Sequence, residues 1–253
     1  MTKLSLEEKL DLIADWIVNS KHLVAFTGAG ISTESGIPDF RGPDGVWTRR
    51  DKGLPPPKMK KAWSEVGPNE GHMVLVELQD MGLLKFLITQ NTDNLHRQSG
   101  IHPEKISELH GNGTLMKCLS CDKRMTYEEA GWDKRIFGPG YRTHPTKENQ
   151  PNCPHCEGRL ISSVINFGDP MPESDFKIAY ENSEISDVYL MIGSSLVVNP
   201  AADLPILAME NDAKTVLINI GETPLDDQVD IKIEEKIGGI LVSILEKVKA
   251  KKS

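Results

Sequence analysis

The chain has 253 residues, of which 38% are hydrophobic and 26% charged, and these values are ordinary for a globular protein. Its net charge of −8 argues against a general surface for nucleic acids or anionic membranes, so we expect neither as a direct partner. No run approaches the roughly 18 apolar residues of a membrane span, and the N-terminus does not resemble a signal peptide. We therefore expect a cytoplasmic protein, or a nuclear one in a eukaryote. We also expect it to be a monomer.

The first third of the chain is predicted to alternate between helices and strands. A capping box at residues 5–8 begins an amphipathic helix, and a short apolar strand follows over residues 22–26. A second helix over residues 72–79 leads to a second strand over residues 83–88. Between them, residues 42–69 carry several prolines, glycines and basic side chains, so we predict a long cofactor-binding loop there.

A glycine-rich turn follows the first predicted strand. Gly28, Ala29 and Gly30 resemble the start of a dinucleotide-binding fingerprint. Thr33 stands where a hydride-transfer fold needs its third glycine for close packing of helix and strand. Simple strand-to-helix packing also produces such a turn. If a dinucleotide binds here, the departure indicates a chemistry other than hydride transfer.

Polar residues also follow the other predicted strands. Residues 89–93 come after the second strand, residues 193–195 after a strand over 188–192, and Asn219 after a strand over 215–218. Ligands of parallel α/β sheets bind at the carboxyl ends of the strands. We therefore expect these groups to meet at one edge of the sheet, although serines after strands are also common helix caps.

His110 is the candidate general base. It ends the apolar stretch over residues 106–109, and the Gly-Asn-Gly that follows leaves space at a cleft. Histidine titrates near neutral pH, which suits proton abstraction. A structural histidine at a strand end is the alternative, and His96, the nearest competitor, is expected to pack structurally.

All four cysteines lie in two CxxC pairs, Cys118/Cys121 and Cys153/Cys156. Two such knuckles offer four thiolates to one ion, which predicts a structural Zn²⁺. Disulfides are disfavoured in an intracellular chain. A thiol-redox role for Cys153 and Cys156 would require a preceding strand and a following helix, and the flanking residues predict neither. His155 is expected to face solvent because four cysteines complete the shell.

The order of predicted elements indicates an α/β fold. We predict a doubly wound, parallel, Rossmann-like sheet built from residues 1–113 and 161–253, with a small zinc-ribbon module over residues 114–160 inserted. The main sheet is expected to resume with a strand over residues 161–165. It should end with an edge strand over residues 230–233 and a closing helix.

Six motifs in this order resemble one family. They are GAGIS at 28–32, GIPDFR at 36–41, TQNTD at 89–93, LHGN at 109–112, the paired CxxC knuckles and GSSL at 193–196. Together they resemble the sirtuins, the silent-information-regulator type NAD-dependent protein deacylases. The resemblance implies that an acyl-lysine oxygen attacks the anomeric carbon of the NAD ribose. Nicotinamide, deacylated lysine and O-acetyl-ADP-ribose would be the products.

The resemblance also implies a role for each matching residue. His110 would be the base, Asn91 would orient the ribose or a water, and Phe40 would shield the reacting carbon. The residues expected to bind NAD are Gly28, Ala29, Gly30, Thr33, Asp39, Phe40, Arg41, Trp47, Gln90, Asn91, Thr92, Asp93, Gly193, Ser194, Ser195, Asn219 and Ile237. An acetylated-lysine protein or peptide would bind as an added β-strand. The residues expected to contact it are Val164, Asn166, Phe167, Gly168 and Val197.

Departures from the family pattern narrow the prediction. Thr92 and Asn94 replace an aliphatic residue and a glycine of the commonest pattern. Residues 42–65 contain no tyrosine, and so lack the constellation that desuccinylating relatives use, which favours neutral acyl groups. Two other functions stay open: a mono-ADP-ribosyltransferase, which would use the same activated ribose, and a non-catalytic NAD-sensing zinc scaffold.

Overall fold

Nine strands and eight α-helices lie in residues 4–252, the part of the chain that this computed structural model describes. The strands are β1 (Leu23–Thr27), β2 (Leu84–Thr89), β3 (Ile106–Glu108), β4 (Leu115–Cys118), β5 (Arg124–Thr126), β6 (Leu160–Ser162), β7 (Val188–Ile192), β8 (Lys214–Ile218) and β9 (Ile231–Ile233). The helices are α1 (Leu6–Asn19), α2 (Val46–Asp51), α3 (Glu70–Asp80), α4 (Leu95–Ser99), α5 (Lys134–Phe137), α6 (Glu173–Glu184), α7 (Asp203–Glu210) and α8 (Ile237–Lys252). None of the helices in residues 4–252 has the length and apolar character needed to cross a bilayer.

The main sheet has six parallel strands in the order β3-β2-β1-β7-β8-β9. Counted within this sheet alone, that order is 3-2-1-4-5-6, the order of the dinucleotide-binding fold. The order reverses between β1 and β7, which creates a crevice at their carboxyl ends. The predicted fold class is confirmed.

Alternating side chains of the central strands pack against two layers of helices. In β1, Leu23 and Ala25 lie in one core cluster with apolar residues of α1, α3 and α8. Val24 and Phe26 lie in a second cluster with residues of α6 and α7. Strands buried on both faces have continuous apolar sequences, and this is why β1 and β7 were recognisable in the sequence.

A smaller antiparallel sheet, in the order β5-β4-β6, carries the cysteines. The prediction that the main sheet resumes over residues 161–165 was wrong. Leu160 pairs with Cys118 and Ser162 with Met116, so β6 belongs to the small sheet. An apolar run indicates a buried strand, but its partner is decided by contacts between residues distant in sequence.

The predicted loop over residues 42–69 is partly helical, which corrects that prediction. Helix α2 begins after Gly45, and the amides of Val46 and Trp47 donate to the carbonyls of Asp39 and Phe40. A 3-10 turn follows at Trp63–Glu65. The prolines lie outside residues 44–54, so that interval can form helical hydrogen bonds.

Candidate active site

A cleft of about 1200 Å³ opens at the carboxyl ends of β1, β2, β7 and β8. Typical small-molecule sites have roughly 300–1,000 Å³. The cleft is therefore large enough for a dinucleotide together with part of a second ligand. It lies at the point where the strand order reverses.

The cleft brings together all but three of the residues predicted to form the site. Those that line it are Gly28, Ala29, Gly30, Asp39, Phe40, Arg41, Trp47, Gln90, Asn91, Thr92, Asp93, His110, Val164, Asn166, Phe167, Gly168, Gly193, Ser194, Ser195 and Asn219. Thr33, Val197 and Ile237 are not part of the lining. The Thr33 hydroxyl donates to the Gly30 carbonyl at 2.8 Å, and Ile237 is buried at the start of α8.

The glycines after β1 are required by contact with a second turn. A Cβ on Gly30 would lie 2.6 Å from the Cα of Gly193, and one on Gly28 would lie 2.7 Å from the Gly193 carbonyl oxygen. The amides of Gly28 and Gly30 donate to the carbonyls of Ile192 and Gly193. These two amides are therefore already engaged within the protein.

Ser32 joins two predicted site residues, although it was not itself predicted. Its hydroxyl donates to Asp93 Oδ2 at 2.6 Å and accepts from Asn91 Nδ2 at 3.2 Å. Asn91 Nδ2 also donates to the Gly28 carbonyl. These bonds hold the segments after β1 and β2 together. The position of Ser32 within the fingerprint loop was the only signal of this role.

His110 lines the cleft with one ring nitrogen anchored. Its Nδ1 lies 3.0 Å from the Gln90 carbonyl oxygen, which can only accept a hydrogen bond. Nδ1 therefore carries the proton, and in the neutral ring Nε2 is the proton-accepting nitrogen. Burial lowers the pKa of His110, and the bond to the Gln90 carbonyl partly opposes that shift. The imidazole is accordingly neutral at pH 7.

His96 packs structurally, as predicted. It is 3% exposed, its Nε2 lies 2.9 Å from the Thr27 hydroxyl, and its ring lies 4.8 Å from that of His72. Burial holds the pKa of His96 well below its usual range, and repulsion from His72 adds to this. Both rings are therefore neutral, and their contact packs α3 against α4.

Aromatic side chains form an exposed wall of the cleft. Phe40 and Trp47 stack with their centroids 5.9 Å apart, and Phe167 is 81% exposed. Trp63, which is 66% exposed, also lines the cleft and was not predicted, nor was Lys134. An aromatic residue within the basic loop signalled Trp63, whereas nothing in the sequence signalled Lys134.

The four cysteine sulfur atoms lie within 4.8 Å of one another. Cys118 and Cys156 are separated by 3.5 Å and Cys121 and Cys153 by 3.8 Å, too far for disulfides. Tetrahedral Zn–S bonds of about 2.3 Å place sulfurs roughly 3.8 Å apart. The cluster therefore fits a structural Zn²⁺. His155 is exposed and outside the cluster, as predicted.

Known proteins are similar to this chain in sequence and fold. The model of the Sir2 family matches residues 28–62 and 57–200. An NAD-dependent protein deacetylase of Caldivirga maquilingensis is 38% identical over 248 residues, which cover 92% of this chain and 91% of that protein. A solved structure of Sir2 with a p53 peptide and NAD+ has a TM-score of 0.72 and 31% identity, covering 99% of this chain and 100% of that one.

A plant relative is longer than this chain. The NAD-dependent protein deacetylase SRT1 of Oryza sativa subsp. indica is 37% identical over 240 residues, which cover 95% of this chain but 48% of that protein. The chain thus spans about half the length of this relative.

Proposed function

The chain belongs to the Sir2 family, and we propose that it is an NAD-dependent protein-lysine deacetylase. The observation that carries the proposal is His110, a neutral histidine anchored at Nδ1 in a cleft at the switch point of a Rossmann-like sheet. A dinucleotide-binding protein without catalysis has no need of a base in this position.

In this proposal the cleft binds NAD across β1, β7 and β8. NAD would supply a ribose activated by its bond to nicotinamide. Because the amides of Gly28 and Gly30 are engaged, we assign the pyrophosphate to Arg41 and the Ser194 hydroxyl beside that turn. Asn219 is assigned to the adenosine ribose at the end of β8.

His110 is assigned the proton transfer. A hydroxyl of the ribose must lose a proton to attack an acyl carbon, and Nε2 of neutral His110 can accept it. The Gln90 carbonyl then stabilises the imidazolium through Nδ1. Phe40 and Trp47, whose stacked rings line the cleft, are assigned to excluding water from the reacting carbon.

We propose that an acetylated-lysine peptide binds next to residues 164–168. Phe167 is almost fully exposed beside the cleft, and an exposed aromatic of this kind fits contact with a bound chain. The relative solved with a p53 peptide and NAD+ supports both substrates. Val197 is assigned to the opposite side, next to Val198 of the cleft lining.

One incubation separates this proposal from its alternatives. The protein is mixed with NAD and an acetyl-lysine peptide, and mass spectrometry follows every product. Deacetylation predicts nicotinamide, a peptide with its lysine deacetylated, and O-acetyl-ADP-ribose. ADP-ribosylated protein with the peptide still acetylated would indicate a transferase, and unchanged NAD would indicate a scaffold.

His110→Ala tests the assignment of the base. We expect deacetylation to fall by at least about 10²-fold, the usual contribution of a general base, while NAD binding measured by calorimetry persists. His155→Ala is the matched control, because that histidine is exposed and outside the cleft. Undiminished turnover by His110→Ala would refute the assignment.

A further inference from the structure

Glu108 is a buried carboxylate two residues before His110. Glu108 is 2% exposed, and a carboxylate is rarely buried unless it is paired with a positive charge. Oε2 lies 2.9 Å from Arg97 Nη2 and 3.8 Å from Arg124 Nη1. Oε1 accepts a hydrogen bond of 2.6 Å from Asn112 Nδ2. Both oxygens are therefore engaged by side chains from outside β3.

A fourth charged side chain completes this cluster. Asp175 of α6 accepts two hydrogen bonds from Arg124, of 3.2 Å from Nη1 and 2.5 Å from Nη2. We call Glu108, Arg97, Arg124 and Asp175 the ionic quartet. It contains two positive and two negative charges, and it joins β3, α4, β5 and α6. Within the ionic quartet, Arg124 belongs to the small sheet that carries the cysteines.

Asn112 connects the ionic quartet to the base. It is fully buried, and its Nδ2 also donates to Asn94 Oδ1 at 2.8 Å. Its backbone amide donates to the Ser163 hydroxyl at 3.0 Å. Glu108 therefore holds the chain on one side of His110 directly and on the other side through Asn112.

We propose that the ionic quartet positions His110 and makes that position depend on the folded state of the cysteine-bearing sheet. Arg124 pairs with Lys117 in the ladder between β5 and β4, next to the metal-cluster residue Cys118. A continuous path of contacts thus runs from the cysteines through Arg124 and Glu108 to the segment of His110. The inference rests on the proposed function, because it assigns positioning residues for that reaction.

The ionic quartet can control the position of His110 because breaking a buried ion pair has a high cost in free energy. Removing Arg124 leaves Glu108 and Asp175 short of a cation in a buried setting, so the surrounding chain must rearrange to restore solvation. A displacement of about 1 Å at a reacting group can reduce a rate by about 10²-fold. Zinc removal would act on His110 through the same route, since it would release β5.

Arg124→Gln tests the proposal, with Arg135→Gln as the matched control. Arg135 also pairs with an aspartate, Asp133, in the same part of the chain, but it is exposed and outside the cleft. We expect Arg124→Gln to keep stoichiometric zinc while kcat falls by about 10²-fold and the KM for NAD changes little. The control should keep both. Arg124→Lys, which retains the charge, should recover part of kcat and serves if the glutamine variant does not fold.

Amide hydrogen exchange gives a readout that does not depend on activity. In Arg124→Gln, residues 108–114 should exchange at least about 10-fold faster than in the wild type. Unchanged kcat, unchanged exchange, or a loss of zinc in proportion to the loss of kcat would each overturn the proposal. Absence of turnover in the wild type would refute the proposed function instead, and the exchange experiment would still test the positioning.

Discussion

Among the described residues, the six-stranded sheet contributes to two core clusters, of 28 and 15 buried hydrophobic residues. The core cluster of the three-stranded sheet has only seven residues, two of them cysteines. Units with so few apolar residues usually need metals or disulfides to stay folded. The main sheet is therefore stabilised by burial of aliphatic side chains, and the small one depends on its cysteine cluster.

Metal removal should show the largest difference between the two sheets. With the thiols kept reduced, Cys153→Ala or chelation should abolish exchange protection over residues 114–162. Residues 188–218 should remain protected. Structural zinc contributes on the order of 10 kcal/mol in small domains, more than the seven-residue core can replace. Hydrogen exchange with mass spectrometry measures both regions, and His155→Ala is the control. Persistence of the small sheet without metal would contradict this account.

Gly30→Ala should damage the main sheet at its switch point. The added Cβ would meet backbone atoms of Gly193 at 2.6 Å, and backbone cannot move aside as a flexible side chain can. We expect a loss near the upper end of the about 1–3 kcal/mol that overpacking costs, measured by urea denaturation. Gly239→Ala is the control because nothing lies within 4 Å of its added Cβ, and it should be neutral or stabilising. Equal stability of the two variants would argue against this contact.

Mild acid should weaken the main sheet through its buried histidines. Burial lowers the pKa of His72 to about 4, whereas an unfolded histidine titrates near 6.5. The unfolded state thus binds its proton first as the pH falls, so this contribution is present above about pH 6.5 and is lost towards pH 4. Between pH 7 and pH 5 the free energy of unfolding should fall by roughly 2 kcal/mol more in the wild type than in His72→Gln. His102→Gln, which alters an exposed histidine, should behave as the wild type.

Surface ion pairs should contribute least to the stability of the protein. Lys247 of α8 pairs with Glu7 and Asp11 of α1, whose side chains are 72% and 50% exposed. Exposed pairs gain little in water because the charges are already solvated. Lys247→Ala should therefore leave the urea midpoint within experimental error. A clear drop would show that the contact between α1 and α8 depends on charge as well as on the aliphatic core.

The success and failure of the sequence predictions follow the same division. The main sheet was predictable because strands such as β1 and β7, buried on both faces, have apolar sequences that end at a glycine. The small sheet was harder because its β6 pairs with β4, Leu160 lying opposite Cys118, which is 42 residues earlier in the chain. The predicted strand over residues 161–165 was assigned to the main sheet for this reason, whereas β6 pairs with β4.

The site shows a similar contrast. Most of its residues were predictable because they directly follow strands, whose carboxyl ends meet at one edge. The bond between Ser32 and Asp93 was not, because it joins segments 61 residues apart. The ionic quartet extends from residue 97 to residue 175 and has no motif of its own.

By itself, the amino-acid sequence determined the strand and helix types, the four thiols and the polar residues at the strand ends. Local periodicity and spacing encode burial and chemistry, and both are properties of short segments. Only the tertiary structure decided the sheet to which β6 belongs, the engagement of the amides of Gly28 and Gly30, and the pairing of Glu108 with Arg124. These depend on contacts between distant segments, which no local pattern specifies.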